Sequence, residues 1–246
     1  SRLVTELRGL SPDPNDYRVF LLSTGSEGIE NSIKLAKTYA LRNYGRQRKY
    51  IVSFDNAFHG RTLGAQLAGG QPRLKEWIVD EGRTFLQVPF PDGYINENTS
   101  FDLFLKTLEA KKVNPDQIAG VLTESYQGGG ANFLPAEYAQ KLEEFCRKHD
   151  IVSIYDEVQA GFGRTGKMFT YQHYGVSPDL IVCGKGITSS LPLAAVIGRS
   201  RIMDLYPPGS MTSTHSASPL PVAAALASLR LIREEKLVEN AEHLGR

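Results

Sequence analysis

Apolar positions along this chain follow two alternating rhythms. Across residues 26–44 they recur at helical spacing, with Ile29, Ile33, Ala36, Ala40 and Tyr44 on one stripe and Lys34, Lys37 and Arg42 largely elsewhere. That pattern predicts an amphipathic helix. Short, nearly continuous apolar runs at 19–22, 50–54, 84–88, 118–123, 151–155 and 180–183 predict buried strands, while 136–149 and 221–235 read as further helices. Strands alternating with helices imply βαβ units, hence an α/β fold: a three-layer α/β/α arrangement around a mostly parallel sheet. The run at 193–198 follows the 180–183 strand too closely for a crossover helix, so one antiparallel strand is expected there. No repeat, low-complexity segment or linker is visible, and 246 residues suit one large domain.

Charge and cysteine content remove several classes of function. The 28 basic and 27 acidic residues nearly cancel, and no Lys/Arg block resembles a nucleic-acid footprint, so nucleic acid is not expected as a partner. Cys146 and Cys183 are the only cysteines. They lack metal-ligand spacing and lie in apolar segments, which argues against a metal site and for a reducing, cytoplasmic setting. No apolar stretch reaches the length of a membrane span, and the first residues carry no signal-peptide pattern, so no membrane association is expected.

Candidate chemistry sits at the strand ends. Lys185 lies between Gly184 and Gly186, just past the strand at 180–183, and Asp156, followed by Glu157, Val158 and Gln159, ends the preceding strand. In an open parallel sheet, ligands bind at the carboxyl ends of the strands. An amine able to form an imine, paired with a carboxylate able to hold a pyridinium nitrogen, is the arrangement that pyridoxal phosphate chemistry requires. A third element, Ser23-Thr24-Gly25-Ser26-Glu27, opens the first long helix. Thr24 and Glu27 have capping-box spacing, and a helix N-terminus with small residues presents free N–H groups and a positive dipole end to a phosphate. No G-x-G-x-x-G turn opens that helix, which excludes a dinucleotide-binding domain.

These residues, together with Ala57-Phe58-His59-Gly60-Arg61-Thr62, the run from Asp156 to Gly166, Pro178-Asp179-Leu180, and Thr214-His215 ahead of Pro219, resemble the class III (ornithine and 4-aminobutyrate type) pyridoxal-phosphate-dependent aminotransferases. The motifs occur in the family's order across nearly the whole chain. The resemblance implies the fold type I large domain over residues 1–246, with the family's N-terminal segment and C-terminal small domain outside them. It also implies pyridoxal 5′-phosphate as cofactor and amino transfer between an amino donor (an ω-amino acid, amine or related amino acid) and a 2-oxo acid. Lys185 would carry the cofactor as an imine and move the substrate proton as a neutral amine, a form that partial burial and nearby positive charge favour. Asp156 would hold the ring nitrogen. Phe58 and Val158 would sandwich the ring, Gln159 would hydrogen-bond its hydroxyl, and Gly25 and Ser26 would cradle the phosphate. Glu124 matches a family glutamate near the cofactor, whereas His59 and Arg164 either stand beside it or brace their loops.

Thr214 resembles the threonine that reaches the phosphate of the neighbouring subunit, which makes the site shared within a homodimer; Thr212 is a competing register. Two positions depart from the family: Ser125 stands where a proline often follows the glutamate, and Gly129 stands where 4-aminobutyrate and ornithine enzymes have a second glutamate. The second departure argues against a glutamate-type co-substrate and for pyruvate or another monocarboxylate. Another reaction of the same cofactor (decarboxylation or an amino shift) and a non-catalytic cofactor-binding or dimerisation module are the alternative functions, since fold does not fix which bond breaks.

Overall fold

The structure, a computed structural model, describes residues 2–79, 83–211 and 213–245. Its elements in chain order are α1 (Arg2–Arg8), β1 (Tyr17–Leu22), α2 (Gly25–Tyr44), β2 (Tyr50–Phe54), α3 (Leu63–Ala68), β3 (Phe85–Val88), α4 (Phe101–Ala110), β4 (Ile118–Glu124), β5 (Tyr126–Gln127), β6 (Asn132–Phe133), α5 (Ala136–His149), β7 (Val152–Asp156), β8 (Leu180–Cys183), β9 (Ala194–Arg199), α6 (Ser200–Met203), α7 (Pro219–Glu234) and α8 (Leu237–Leu244), with short 3₁₀ turns between some of them.

Seven strands form one sheet in the order β1-β9-β8-β7-β4-β2-β3. The pairs among β8, β7, β4, β2 and β3 are parallel. β9 runs against both of its neighbours, β8 and β1, and is therefore the one reversed strand of the sheet, as the short 193–198 connection predicts. The β5–β6 pair is a separate small hairpin.

Strand alternation shows why both faces are covered. Tyr155, Ile181, Cys183, Ala195 and Ile197 join a core with α1, α4, α5 and α7, whereas Ile154, Leu180, Val182, Ala194 and Val196 join a second core with α2 and α3. Successive side chains of a strand point to opposite faces, so a near-continuous apolar strand requires helices on both. The three layers follow. α2 lies close on the sheet because Gly28 has no side chain; a Cβ there would come within 2.6 Å of Val182 Cγ1. That approach brings the N-terminus of α2 to the carboxyl ends of the parallel strands.

Candidate active site

A cleft of about 980 Å³ opens at those carboxyl ends. It is lined by residues 23–26 at the start of α2, residues 58–60 after β2, Glu124, Gly128 and Gly129 at and after β4, Asp156, Val158 and Gln159 at the end of β7, Lys185 after β8, and the loop at 188–193 that returns into β9. Segments far apart in sequence thus deliver Lys185, Asp156, Glu124, Phe58, His59, Val158, Gln159, Gly25 and Ser26 to one cavity.

Asp156 is almost wholly buried at its strand end. Its Oδ2 lies 2.8 Å from His59 Nδ1, and its Oδ1 accepts from the Val158 backbone N–H at 3.0 Å. Two partners fix the carboxylate plane toward the cleft. The His59 side chain is fully enclosed, and its Nε2 has no hydrogen-bond partner among the described residues. His59 therefore holds the Asp156 carboxylate and also lines the cleft.

Glu124 lies beside Asp156 in strand register, so two carboxylates share one edge of the cleft. Its two oxygens accept from Phe58 N–H at 2.9 Å and Gly128 N–H at 3.1 Å, which ties the loop after β2 to the loop after β4. Burial, opposed by His59 and reinforced by Asp156, pushes its carboxyl well above the usual carboxylate range. Glu157, fully buried, does similar work one residue after Asp156: it accepts from Ser125 Oγ–H and from the backbone N–H groups of Thr170 and Tyr171 at 2.9 and 2.8 Å. Burial raises its carboxyl to about 7 against these hydrogen bonds. The sequence shows Glu157 inside a motif but carries no local signal for this role, because its partners are 32, 13 and 14 residues away. Ser125, the departure from proline, donates one of the bonds.

The predicted capping box is present at α2. Glu27 N–H donates to Thr24 Oγ1 at 3.2 Å, and Glu27 Oε2 accepts from Ser23 and Thr24 N–H at 2.8 and 3.2 Å. The cap leaves the N–H groups of Gly25 and Ser26 without an intrahelical acceptor at the positive end of a 20-residue helix, which is an anion cradle. Gly25 is required by close approach, since a Cβ there would come within 2.8 Å of Val158 Cγ1. Arg61 stacks its guanidinium 5.8 Å from the Phe58 ring centroid.

Lys185 holds a left-handed backbone conformation, φ 36°, an uncommon one for a residue with a side chain. Its neighbours pin it: Ile187 N–H donates to Gly184 O and Ser189 N–H to Lys185 O, at 3.0 and 3.1 Å. Contrary to the expectation of partial burial, Lys185 is exposed in this chain, because the cleft is open above it. Thr214 lies in an exposed turn before α7 and does not line the cleft of its own chain. Thr212 lies outside the described residues. Arg164 lines the cleft and donates from Nε to Gln159 O at 3.1 Å, so it braces the segment that presents the Gln159 side chain.

A lysine and a carboxylate paired at adjacent strand ends, beside a helix N-terminus, recur in known proteins. The sequence profile described as "Aminotransferase class-III" matches residues 1–246. The chain belongs to the class III aminotransferase family. It is 34% identical to a probable 4-aminobutyrate aminotransferase of Bacillus subtilis, over 99% of this chain and 57% of that protein. It is also 34% identical to the acetylornithine aminotransferase of Aquifex aeolicus, over 93% of this chain and 56% of that protein. Among solved structures it resembles an (S)-enantioselective omega-transaminase from Thermomicrobium roseum, with TM-score 0.88 and 31% identity over 97% of this chain and 56% of that one. An amine transaminase of an uncultivated Pseudomonas species in its PLP-bound form superposes with TM-score 0.89 and 28% identity, over 99% of this chain and 59% of that one. The chain thus spans little more than half the length of these relatives.

Class III aminotransferases use pyridoxal 5′-phosphate, and the cleft fits that group on its own evidence. It offers an amine, an oriented carboxylate, an anion cradle at a helix N-terminus and, between Phe58 and Val158, two apolar walls. Sequence reasoning did not single out Gln71 or the 188–193 loop, both of which line the cleft. Thr188 organises that loop, its Oγ1 accepting from Leu191 N–H at 3.0 Å and Ser190 N–H at 3.3 Å. Ser and Thr side chains bonding nearby backbone are a recognisable turn signal, but nothing local ties the turn to Lys185.

Proposed function

We propose that the protein carrying this chain is an aminotransferase that moves an amino group from an amino donor to a 2-oxo acid, with Lys185 as the covalent attachment point of pyridoxal 5′-phosphate. One observation carries the reading: in a class III chain, Lys185 and the oriented Asp156 lie just past or at the ends of the adjacent parallel strands β8 and β7, in one cleft. When bound, the cofactor supplies an electron sink for the bonding electrons of the carbon that loses its proton. Asp156, backed by His59, keeps the ring nitrogen protonated and so maintains that sink. Phe58 and Val158 hold the ring plane, which lets the scissile C–H bond stand perpendicular to it. Gln159, whose side chain makes no hydrogen bond among the described residues, holds the ring hydroxyl, and Gly25 and Ser26 bind the phosphate. Lys185 Nζ would hold the cofactor and, as a free amine, would accept and return the proton of the donor carbon. Glu124 acts on the site through Phe58 and Gly128, whose amides it holds.

In this reading residues 1–246 are the large, cofactor-binding domain, and the working unit is a homodimer in which Thr214 of each subunit completes the partner's phosphate site. The exposed position of Thr214, away from its own cleft, supports that arrangement. A cytoplasmic location suits the two buried, unlinked cysteines. Among the described residues no helix is long and apolar enough to cross a membrane. Borohydride reduction of the pyridoxal-phosphate-loaded protein, followed by peptide mass mapping, is expected to place the cofactor on the Lys185 peptide. A label on Lys34 or Lys75 instead refutes the assignment.

A further inference from the structure

We propose that Ser125 is a positioning residue for this site: its hydroxyl holds the buried Glu157 carboxylate and so fixes the end of β7, where Asp156 and Gln159 face the cofactor cleft. The proposal rests on the aminotransferase reading above and adds to it a residue that does not line the cleft. Ser125 follows Glu124 at the end of β4, as Glu157 follows Asp156 at the end of β7, and Glu124 and Asp156 are register partners. Ser125 and Glu157 are both wholly enclosed. Ser125 Oγ–H donates to Glu157 Oε1, which also accepts from Tyr171 N–H at 2.8 Å, while Oε2 accepts from Thr170 N–H at 2.9 Å. The Ser125 carbonyl in turn accepts from Tyr174 Oη–H and from Leu134 N–H at 3.4 Å. The backbone of Glu157 is tied on both sides, its N–H to Val182 O at 2.7 Å and its C=O to Gly161 N–H at 2.8 Å. One serine therefore joins the loop after β4, the turn at 170–174 and the strand end that carries Asp156.

Among the described residues no lysine, arginine or histidine bonds Glu157, so neutral donors alone hold its charge. Two of them are backbone N–H groups of the 170–174 turn; Ser125 supplies the one donor from a side chain. The titratable groups around the carboxylate are Asp156 beside it, with Glu124 next to Asp156, Tyr155 on β7, Tyr171 and Tyr174 on the turn, and Cys183 on β8. Burial keeps the three phenols and the thiol neutral. It also raises the Glu157 carboxyl to about 7, so the ionised form near neutrality depends on its hydrogen bonds. Removing the Ser125 hydroxyl takes one bond from that form and favours proton uptake. The strand end then loses both a tether and a negative charge beside Asp156. Ser125 is also where this chain departs from the proline of the class III pattern, and a proline has no hydroxyl to donate. The clamp is thus a property of this chain.

The test first compares thermal unfolding of cofactor-free wild type and Ser125→Ala between about pH 5 and pH 8.5. Loss of a hydrogen bond to the ionised carboxylate is expected to raise the proton affinity of folded Glu157 by roughly tenfold. The difference in melting temperature is therefore expected to be small at about pH 5, where Glu157 is protonated in both folded proteins, and to widen above about pH 6. In a Glu157→Gln background, with no charge left to hold, the same substitution is expected to give a difference that does not change with pH. In the holoenzyme, Ser125→Ala is expected to weaken pyridoxal phosphate binding by a few-fold and to move the absorbance titration of the bound cofactor to lower pH, because the strand end is less negative. A melting difference independent of pH, one that still widens in the Glu157→Gln background, or an absorbance titration identical in wild type and Ser125→Ala overturns the proposal. A widening difference in a protein that takes up no pyridoxal phosphate supports the Ser125–Glu157 clamp and sinks the aminotransferase reading instead.

Discussion

Replacing Glu143 by glutamine is expected to stabilise the fold, and to do so increasingly as pH rises. Glu143 lies on α5 beside a second, charged cavity of about 650 Å³ that is distinct from the cofactor cleft. Its Oε1 accepts from Ser153 Oγ–H at 3.3 Å, and its buried Oε2 has no hydrogen-bond partner among the described residues. Burial, reinforced by the Asp179 carboxylate and opposed by Ser153, Arg199 and Arg147, moves its carboxyl from an ordinary 4.5 to about 7. Arg199 cannot neutralise it fully, because its guanidinium already pairs with Asp16 at 3.0 Å and Asp179 at 3.3 Å. An acid whose folded value is raised binds more protons folded than unfolded between those two values, so stability falls as pH climbs through that window. The full loss is about 3 kcal/mol by pH 8, as an upper bound, and below about 1 kcal/mol at pH 5. The substituted carboxamide has the shape of the protonated acid and no charge to bury. Urea unfolding of wild type and Glu143→Gln at about pH 5, 6, 7 and 8 should therefore give curves that nearly meet at the acid end and diverge above it, with a melting-temperature gain of order 6–12 °C at pH 8. Glu124 and Glu157 titrate in both proteins and cancel in the difference. Parallel stability curves, or a variant less stable than wild type at pH 8, would refute the reasoning.

Two further outcomes bear on the site. Asp156→Asn should keep the fold yet cost several orders of magnitude in rate, since a neutral amide no longer stabilises a protonated ring; turnover within about tenfold of wild type, or roughly 1.4 kcal/mol of barrier, means that another group holds the nitrogen. Cofactor affinity of the wild type should depend on protein concentration, with a dimer in sedimentation whose dissociation weakens cofactor binding, because a ligand bound only by the dimer shifts association, and Thr214→Ala should loosen the cofactor; a stable monomer with undiminished cofactor affinity, or the same loss in Thr212→Ala alone, contradicts the shared site in this register.

Much of the fold is legible because its strands are buried on both faces. β2 and β8 coincide with the apolar runs at 50–54 and 180–183, and α5 with the predicted 136–149 helix. The elements that escape have weak periodicity or depend on distant partners. α1 has seven residues and is held by Leu3 and Leu7 in the core, while α3 is a helix of only six residues, too short to show a period. α4 has a clear apolar face in Phe101, Phe104 and Leu108, so the signal was present there and went unread. Within the site, the residues that would touch the cofactor stand out because their chemistry is local to a motif. The clamps do not, because Ser125, Thr170 and Tyr171 meet Glu157 only after the sheet has formed.

The crowding of carboxylates at this strand end has a physical consequence for how the site is held. Glu124 and Asp156 are register partners on adjacent strands, and Glu157 follows directly. Burial is the main cause that raises the carboxyls of Glu124 and Glu157, and Asp156 adds to it in both. Charged groups so close in a low-dielectric setting repel, and each can remain only where hydrogen bonds or a cation offset the cost of burial. Backbone amides serve Glu124, and amides with a hydroxyl serve Glu157. Asp156 has one amide and His59, with its remaining acceptor capacity open to the cleft. In the reading proposed above, a protonated ring nitrogen placed there would add a positive charge beside the carboxylate whose remaining acceptor capacity faces the cleft. The same backbone that orients Asp156 for that cation would, without it, hold three carboxylates together against their repulsion. In that reading, binding the cofactor and relieving the strand end would be one electrostatic event.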